Sequence, residues 1–209
     1  MKNVQRYDIA APIYDWFAWV LSLGGISKLH PALVEGLDMT DKTVIDLGCG
    51  TGLAFEGLLN SVGPNGEIIG IDNNASILAK ADNRIAANNW TNVTTKIADI
   101  ATLDTAGADI VISCIAMSCV PDPTRELDGL LQNLKPGVVV RIIDALPRAE
   151  GNFRSSFFNR YNQMKAHIVG SHYQQLEGFA KVFQENLSEV RVDALHGGMY
   201  TRLTGVKVP

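Results

Sequence analysis

The stretch TVIDLGCGTG, residues 43–52, places a carboxylate directly before three glycines at alternate positions. An apolar run containing Asp46 leads into Gly48, Gly50 and Gly52. Glycine permits tight turns and close approach of a ligand to the backbone, and the start of a following helix offers free N–H groups. The stretch therefore predicts a ligand-binding loop between a strand and a helix. A phosphate, a dinucleotide and a nucleoside are all compatible with it.

The spacing of the glycines narrows the choice of ligand. A phosphate-binding P-loop ends in Gly-Lys-Ser/Thr, and residues 48–57, GCGTGLAFEG, contain no lysine. A dinucleotide fingerprint requires G-x-G-x-x-G, but Leu53 occupies the third glycine position and Gly52 comes one residue early. Pyrophosphate binding is therefore disfavoured.

Two further acids follow apolar runs later in the chain. Asp72 ends the run EIIGID 20 residues after Gly52, where a carboxylate can accept hydrogen bonds from both hydroxyls of a ribose. Asp99, beside Ile100, can face an adenine amino group, and Asp46 suits an ammonium, directly or through water. Together these demands describe S-adenosylmethionine. Helix capping is the alternative role for Asp72 and Asp99.

The surrounding chain alternates apolar runs with amphipathic stretches, which is typical of α/β proteins with a parallel sheet. We predict a Rossmann-like, seven-stranded, mostly parallel sheet with an antiparallel C-terminal strand and helices on both faces. Ligands of such folds bind beyond the carboxyl ends of the strands, where the strand order reverses. The predicted strands are 43–47, 67–72, 93–99, 108–116, 138–146, 189–195 and 201–208, and the predicted helices are 52–61, 75–88, 123–134 and 155–185, with residues 1–40 mostly helical.

Composition excludes several classes of function. The 209 residues carry a net charge of −4 and no long Lys/Arg block, which argues against nucleic acid as the main partner. Cys49, Cys114 and Cys119 lack metal-ligand spacing, so we expect reduced thiols and a cytoplasmic protein. We expect no signal peptide, because Asp8, Pro12 and Asp15 interrupt any apolar region behind Lys2 and Arg6. We expect no membrane span either, because the longest apolar stretch, residues 16–26, is too short to cross a bilayer.

Several motifs in this order resemble those of class I S-adenosylmethionine-dependent methyltransferases. They are VIDLGCGTG, Asp72 in IIGIDNN, IADI at 97–100, ADIVISCIAMSCVPDP at 108–123 and LLQNLKPG at 130–137. RYDIAAPIYDW at 6–16 is similar to the N-terminal signature of the type 11 branch, which includes ubiquinone/menaquinone and phospholipid N-methyltransferases. The resemblance implies that Tyr7 and Tyr14 help to close the cofactor site. The chain departs from many relatives at Val138, where they carry glycine, and around residues 117–120, where they carry a histidine.

The acceptor side is less defined by the sequence. Correct positioning alone can contribute roughly 7–11 kcal/mol to a displacement reaction, so a dedicated catalytic residue is not required. Candidates for a general base are His167, His172 and Asp144. Residues 152–179 mix aromatic and basic side chains, which suits an apolar acceptor with an anionic head, such as a phospholipid or a prenylated ring. An amphipathic helix packed on the sheet explains the same pattern.

We therefore predict a single methyltransferase domain, residues 1–209, that acts on a small-molecule or lipid-like acceptor such as a quinone ring or a phospholipid amine. It comprises a helical cap (1–40), a cofactor-binding core (43–146), an acceptor-side lid (151–185) and a C-terminal hairpin (188–208). The predicted cofactor-binding residues are Tyr7, Tyr14, Asp46, Gly48, Cys49, Gly50, Gly52, Asp72, Asn73, Asp99, Ile100 and Ser113.

Three alternatives remain open at this stage. They are a non-catalytic S-adenosylmethionine-binding domain, an aminopropyltransferase and an NAD-linked dehydrogenase. Weak contact of the aromatic stretch 12–25 with a membrane surface is also open. The sequence carries no signal for the accepting atom, the number of methyl transfers or the oligomeric state.

Overall fold

The computed structural model describes residues 26–147, 153–169 and 171–209. Seven strands form one sheet in the order β3-β2-β1-β4-β5-β7-β6. The first five strands pair in parallel, whereas β7 runs antiparallel to both β5 and β6. The strands are β1 Thr43–Leu47, β2 Glu67–Asp72, β3 Val93–Ile97, β4 Ile110–Cys114, β5 Val139–Asp144, β6 Leu187–Leu195 and β7 Tyr200–Lys207. The predicted Rossmann-like sheet with an antiparallel C-terminal strand is confirmed.

Six α-helices lie in the described ranges, together with short 3₁₀ turns. The helices are α1 Ile26–Val34, α2 Phe55–Val62, α3 Ala75–Ala87, α4 Pro123–Asn133, α5 Phe153–Val169 and α6 Phe179–Asn186. The 3₁₀ turns are Ile100–Thr102, Met117–Cys119, Tyr173–Leu176 and His196–Gly198. None of the helices in the described ranges is long and apolar enough to cross a membrane.

The prediction of one continuous helix over 155–185 is wrong. This region forms α5, a 3₁₀ turn at Tyr173–Leu176 and then α6. Gly178 adopts the left-handed conformation directly before α6, with φ of +84°, and a residue in this conformation interrupts a right-handed helix. The helix predicted from residue 52 begins instead at Phe55, because Gly52 is also left-handed, with φ of +73°.

The central strands are buried on both faces, as their near-continuous apolar sequences require. Every residue of β1 after Thr43 is buried, and so is every residue of β5 after Val139. One polar side chain is built into this core. Arg141 of β5 is 5% exposed and donates hydrogen bonds to the carbonyl oxygens of Ala32, Leu33 and Glu35 at the end of α1. This contact fixes α1 against the sheet.

The topology brings the predicted chemical groups to one edge. The strand order reverses at β1, which has β2 on one side and β4 on the other. Because these strands and β5 are parallel, their carboxyl ends share an edge of the sheet. Asp46 lies near the end of β1, Asp72 ends β2, Cys114 ends β4 and Asp144 ends β5. This edge is the place where ligands bind in such folds.

Candidate cofactor and acceptor site

The glycine loop after β1 has a left-handed backbone at Gly48, Gly50 and Gly52, with φ of +66°, +56° and +73°. At two of these positions the surrounding protein leaves no room for a side chain. A Cβ on Gly48 would lie 2.2 Å from the Cβ of Ala116, and one on Gly52 would lie 2.6 Å from the ring of Phe55. At Gly50 a Cβ would meet no atom within 4 Å. The loop therefore exposes bare backbone at Gly50, towards open space.

Asp72 ties this loop to the end of β2. Its Oδ2 accepts a hydrogen bond of 3.1 Å from the Gly50 N–H, and its Oδ1 accepts one of 3.0 Å from the Asn74 N–H. Burial raises the pKa of Asp72, and these backbone hydrogen bonds oppose the rise. An ionised carboxylate has about four acceptor positions, so both oxygens can accept further hydrogen bonds.

The N-cap of α3 is Asn74 and not Asp72. The Asn74 Oδ1 accepts hydrogen bonds from the N–H groups of Ser76 and Ile77, at 2.9 and 3.1 Å. The helix is therefore capped without Asp72, and the capping role that competed with ribose binding belongs to its neighbour. Asn73, between them, is exposed.

Asp46 is the most unusual acid at this edge. Its side chain is 3% exposed, and its Oδ2 has no hydrogen-bond partner among the described residues. Burial, followed by the negative charge of Asp72, raises the pKa of Asp46 to about 7. An unpaired buried carboxylate is costly, and a positively charged group placed against it would remove that cost.

Asp99 caps the 3₁₀ turn that follows β3. Its Oδ1 accepts a hydrogen bond of 3.0 Å from the Ala101 N–H, which also lies 3.0 Å from Glu126 Oε2. Burial and a hydrogen bond with Asp99 raise the pKa of Glu126. Asp99 is exposed, and the adjacent Ile100 is buried. The capping role considered for Asp99 is thus present, and it leaves one face of the carboxylate open to solvent.

Two other predicted cofactor residues make contacts within the protein. Cys49 is buried, with its Sγ 3.8 Å from the Gly50 carbonyl oxygen, and burial raises the pKa of its thiol. Ser113 is fully buried, and its hydroxyl donates a 3.1 Å hydrogen bond to the Leu47 carbonyl oxygen. The Ser113 hydroxyl thus links β4 to β1. The predicted roles of Tyr7 and Tyr14 fall outside the described residues.

The three candidate bases lie in different environments. His167 is exposed in the last turn of α5. His172 is half-buried, and its Nε2 has no hydrogen-bond partner in the described chain. Asp144 is fully buried and accepts hydrogen bonds from the N–H groups of Ser118 and Ala145, at 3.0 and 2.7 Å. Burial raises the pKa of Asp144, and these hydrogen bonds and the charge of Lys165 oppose the rise.

A polar cluster that sequence reasoning did not find lies on the same side. Lys165 of α5 donates a 3.2 Å hydrogen bond to the hydroxyl of Tyr200, which is fully buried at the start of β7. The Lys165 Nζ lies 4.9 Å from the centroid of the Tyr200 ring and 5.9 Å from that of Tyr161. The i, i+4 spacing of Tyr161 and Lys165 on a helix was a usable signal. Nothing local in the sequence pairs Lys165 with Tyr200.

Comparison with known proteins identifies the family. A family model described as a methyltransferase domain matches residues 38–185, which is more than half of the chain. The chain belongs to the class I S-adenosylmethionine-dependent methyltransferases. S-adenosylmethionine is the cofactor of this family, and the match favours a methyltransferase over the dehydrogenase and aminopropyltransferase alternatives.

Two relatives and one solved structure illustrate the range of the family. The arsenite methyltransferase of Halobacterium salinarum is 33% identical over 132 residues, which cover 62% of this chain and 32% of that protein. The demethylmenaquinone methyltransferase of Lactobacillus johnsonii is 31% identical over 138 residues, which cover 64% of this chain and 57% of that protein. A SAM-dependent methyltransferase from Aquifex aeolicus has the same fold, with a TM-score of 0.58 and 19% sequence identity. The match covers 87% of this chain and 93% of that protein. The matched region thus spans about a third to a little over half of these two relatives.

Proposed function

We propose that this protein transfers a methyl group from S-adenosylmethionine to a small-molecule acceptor at the edge where β1, β2, β4 and β5 end. The observation that carries the proposal is the Asp46 Oδ2, a buried acceptor atom that has no partner in the described part of the chain and precedes a loop of bare backbone. That combination suits a ligand with an ammonium group that must approach the backbone closely.

Each part of the cofactor has a matching group in the described chain. Asp46 binds the ammonium, and Asp72 accepts hydrogen bonds from the ribose hydroxyls. Asp99 and the buried Ile100 hold the adenine. Support comes from the buried, unpaired Asp46 oxygen and from the capping of α3 by Asn74, which leaves Asp72 free for the ribose.

The electrostatics of the edge agree with a positively charged cofactor. Asp46, Asp72 and Asp144 are three acids at or near the carboxyl ends of β1, β2 and β5, and burial raises the pKa of each. Carboxylates lining a partly desolvated cleft attract cations. When bound, S-adenosylmethionine supplies a methyl group on a positively charged sulfur. The chain itself contributes position and the exclusion of water, which can supply roughly 7–11 kcal/mol.

We further propose that the acceptor is lipid-like or carries an apolar ring. α5 exposes three apolar side chains, Phe157, Met164 and Ile168, which are 55%, 52% and 50% exposed. Their spacing of seven and four residues places them on one face of the helix. This face lies within the predicted acceptor-side lid and offers an apolar surface to the acceptor. A quinone ring, as in the relative named for demethylmenaquinone, fits this description.

Binding of S-adenosylmethionine by an Asp46→Asn variant tests the function directly. Asparagine keeps the shape of the side chain but removes its charge, so we expect the dissociation constant to rise at least tenfold, measured by calorimetric titration with S-adenosylmethionine and with NAD in parallel. A tenfold change corresponds to about 1.4 kcal/mol.

Asp38→Asn is the matched control for this measurement. Asp38 is exposed before the amino end of β1, away from the site, and we expect its variant to bind like the wild type. Failure of the wild type to bind S-adenosylmethionine, or equal binding by the Asp46 variant, would contradict the assignment. Catalysis requires a separate measurement, and formation of S-adenosylhomocysteine with lipid and quinone acceptors distinguishes an enzyme from a non-catalytic binding domain.

A further inference from the structure

The cluster around Lys165 lies at the same edge of the sheet as the proposed cofactor site. Asp144, the last residue of β5, pairs with Thr201 of β7. Tyr200 therefore stands one residue beyond the end of that ladder, and its hydroxyl meets Lys165 from α5. Burial raises the pKa of Tyr200, and the nearby groups that add to this rise are Asp144, Tyr161 and Cys114, which ends β4. The cluster thus adjoins the carboxyl ends of β4 and β5.

Among the residues that the structure describes, the charge of Lys165 has no carboxylate partner. The ion pairs in this part of the chain involve Lys42, Lys181 and Arg202. An ammonium has three N–H donors, and in the described chain that of Lys165 makes one hydrogen bond, to Tyr200. The acid that acts on it electrostatically, Asp144, already accepts two backbone hydrogen bonds. Two donors of this half-buried cation therefore have no acceptor among the described residues.

Tyr200 adds another unused donor. Its hydroxyl oxygen accepts the hydrogen bond from Lys165, so its own proton is available to a further acceptor. The side chain is fully buried, and a buried hydroxyl proton without an acceptor carries a desolvation cost. The ring itself is held by edge-to-face packing with His196, at 6.2 Å between centroids. The position of the hydroxyl is thus fixed by its surroundings.

Asn162 supplies a second, independent sign of a missing ligand. It lies one turn before Lys165 on α5, is 2% exposed, and donates a 3.3 Å hydrogen bond to the Met199 carbonyl oxygen. Its Oδ1 is buried and has no hydrogen-bond partner in the described chain. Asn162 and Lys165 thus contact two adjacent residues, Met199 and Tyr200. Buried polar atoms are nearly always paired in folded proteins, so the unpaired Asn162 Oδ1, one turn from Lys165, suggests a ligand.

We propose that Lys165 and Tyr200 bind an acidic oxygen of the methyl acceptor, so that the acceptor is an anion bearing a carboxylate or an ionised hydroxyl on an apolar ring. This inference rests on the proposed function, because it concerns the acceptor of the same site. A hydrogen bond from an ammonium to an anionic oxygen is about twice as strong as one between neutral groups. The same ammonium disfavours an acceptor that presents a cationic amine there.

The burial of the Lys165 side chain also supports this assignment. Burial lowers the pKa of Lys165, and the neighbouring Asp144 and Cys119 oppose this decrease. The other titratable groups against it are the phenols of Tyr161 and Tyr200. An anionic oxygen at Nζ would compensate the lost hydration of the ammonium and keep it charged. The exposed apolar face of α5 then accommodates the rest of the acceptor.

Binding of matched anionic and neutral probes to the S-adenosylhomocysteine-loaded protein tests the inference. The carboxylate arm compares 2-naphthoate with 2-naphthamide, and the hydroxyl arm compares 4-nitrophenolate with 4-nitroanisole. We expect the wild type to bind at least one anion tenfold or more tightly than its neutral partner, by calorimetry. Lys165→Met should abolish that preference, Tyr200→Phe should reduce it severalfold, and Lys165→Arg should retain part of it.

Two controls distinguish a failure of this inference from a failure of the proposed function. Lys181→Met removes an exposed lysine on α6 and should leave the preference unchanged. S-adenosylhomocysteine binding is measured first for every variant, which verifies folding and the cofactor site. Failure of the wild type to bind S-adenosylhomocysteine would refute the proposed function. Normal binding with no anion preference in either arm, or a preference that persists in Lys165→Met, would refute the inference alone.

Discussion

At the scale of single residues, Asp46 connects stability with ligand binding. Its buried carboxyl has one oxygen without a partner and a pKa raised to about 7. In the unfolded chain the same group has a pKa near 3.8. Between these values the folded state holds a proton that the unfolded state has lost. The free energy of unfolding therefore falls as the pH rises through this window.

The pH dependence of the Asp46→Asn variant isolates this contribution. Relative to Asp46→Asn, we expect the wild type to lose on the order of 1 to 4 kcal/mol of stability between about pH 4 and pH 7. Urea unfolding of both proteins at several pH values measures the difference in their free energies of unfolding. The contributions of Asp72 and Asp144 cancel in this difference, because both proteins contain these residues. Parallel curves for the two proteins would show that Asp46 ionises normally in the folded state.

Gly48 and Gly50 differ in what the methyl group of a substituted alanine would meet. Gly48→Ala combines a left-handed backbone with a contact at 2.2 Å, so we expect a loss of about 2 to 5 kcal/mol in stability. Gly50→Ala brings strain alone, about 1 to 2 kcal/mol, but its methyl group projects into the proposed ligand space. It should therefore weaken S-adenosylmethionine binding at least tenfold while the protein stays folded.

Gly36→Ala controls for the strain in this comparison. Gly36 also has a left-handed backbone, with φ of +70°, and a Cβ there meets no atom within 4 Å. It follows α1, before the amino end of β1. We expect Gly36→Ala to lose about as much stability as Gly50→Ala, measured by urea unfolding. We also expect it to bind S-adenosylmethionine like the wild type, measured by calorimetry. Similar binding by both variants would place the ligand away from Gly50.

At the scale of elements, Arg141 shows how one buried side chain fixes a helix. Its Nη1 lies 3.4, 3.0 and 2.7 Å from the carbonyl oxygens of Ala32, Leu33 and Glu35. These are among the carbonyls that the end of a helix leaves unpaired. Its Nε donates to the Thr204 hydroxyl of β7, so α1 is joined to both β5 and β7.

Replacement of Arg141 by methionine should therefore destabilise the protein. The variant keeps the apolar volume but removes the donor to the Leu33 and Glu35 carbonyls, whereas the Ala32 carbonyl keeps Arg202, and we expect a loss of about 2 to 4 kcal/mol in the free energy of unfolding. Arg191→Met, at an exposed position of β6, is the control and should change stability by less than about 0.5 kcal/mol. Comparable effects of the two substitutions would exclude the capping role.

The elements also show what the sequence predicts and what it does not. The central strands, the glycine loop and the positions of Asp46 and Asp72 follow from local patterns, because buried parallel strands are continuous apolar runs. The break between α5 and α6 was missed because Gly178 acts through its backbone conformation. The Lys165–Tyr200 pair joins residues 35 apart in sequence, and only the packing of α5 against β7 brings them together.

At the scale of the whole molecule, packing is uneven. The strands β1, β4 and β5 form the buried centre, whereas the most extensive described contact of α5 with another element is with the turn Tyr173–Leu176. α5 also exposes Phe157, Met164 and Ile168. Few buried contacts are typical of segments that open locally.

Hydrogen exchange should reveal this difference. We expect the amides of α5 to exchange at free energies well below that of global unfolding, and the amides of β1 and β4 to exchange only near the global value. Mass spectrometry of exchange in the apo protein measures both regions at once. Equal protection of α5 and the central strands would mean that the helix unfolds only with the whole protein.

The hydrogen bond between Asp72 and the Gly50 N–H has a consequence for ligands that fill only part of the site. It joins the carboxylate proposed for the sugar to the loop proposed for the amino acid end. A nucleoside fragment that orders Asp72 therefore also orders the loop, and an amino acid fragment does the reverse. Two unlinked fragments should thus show positive cooperativity, and the covalent ligand should bind more tightly than either fragment suggests.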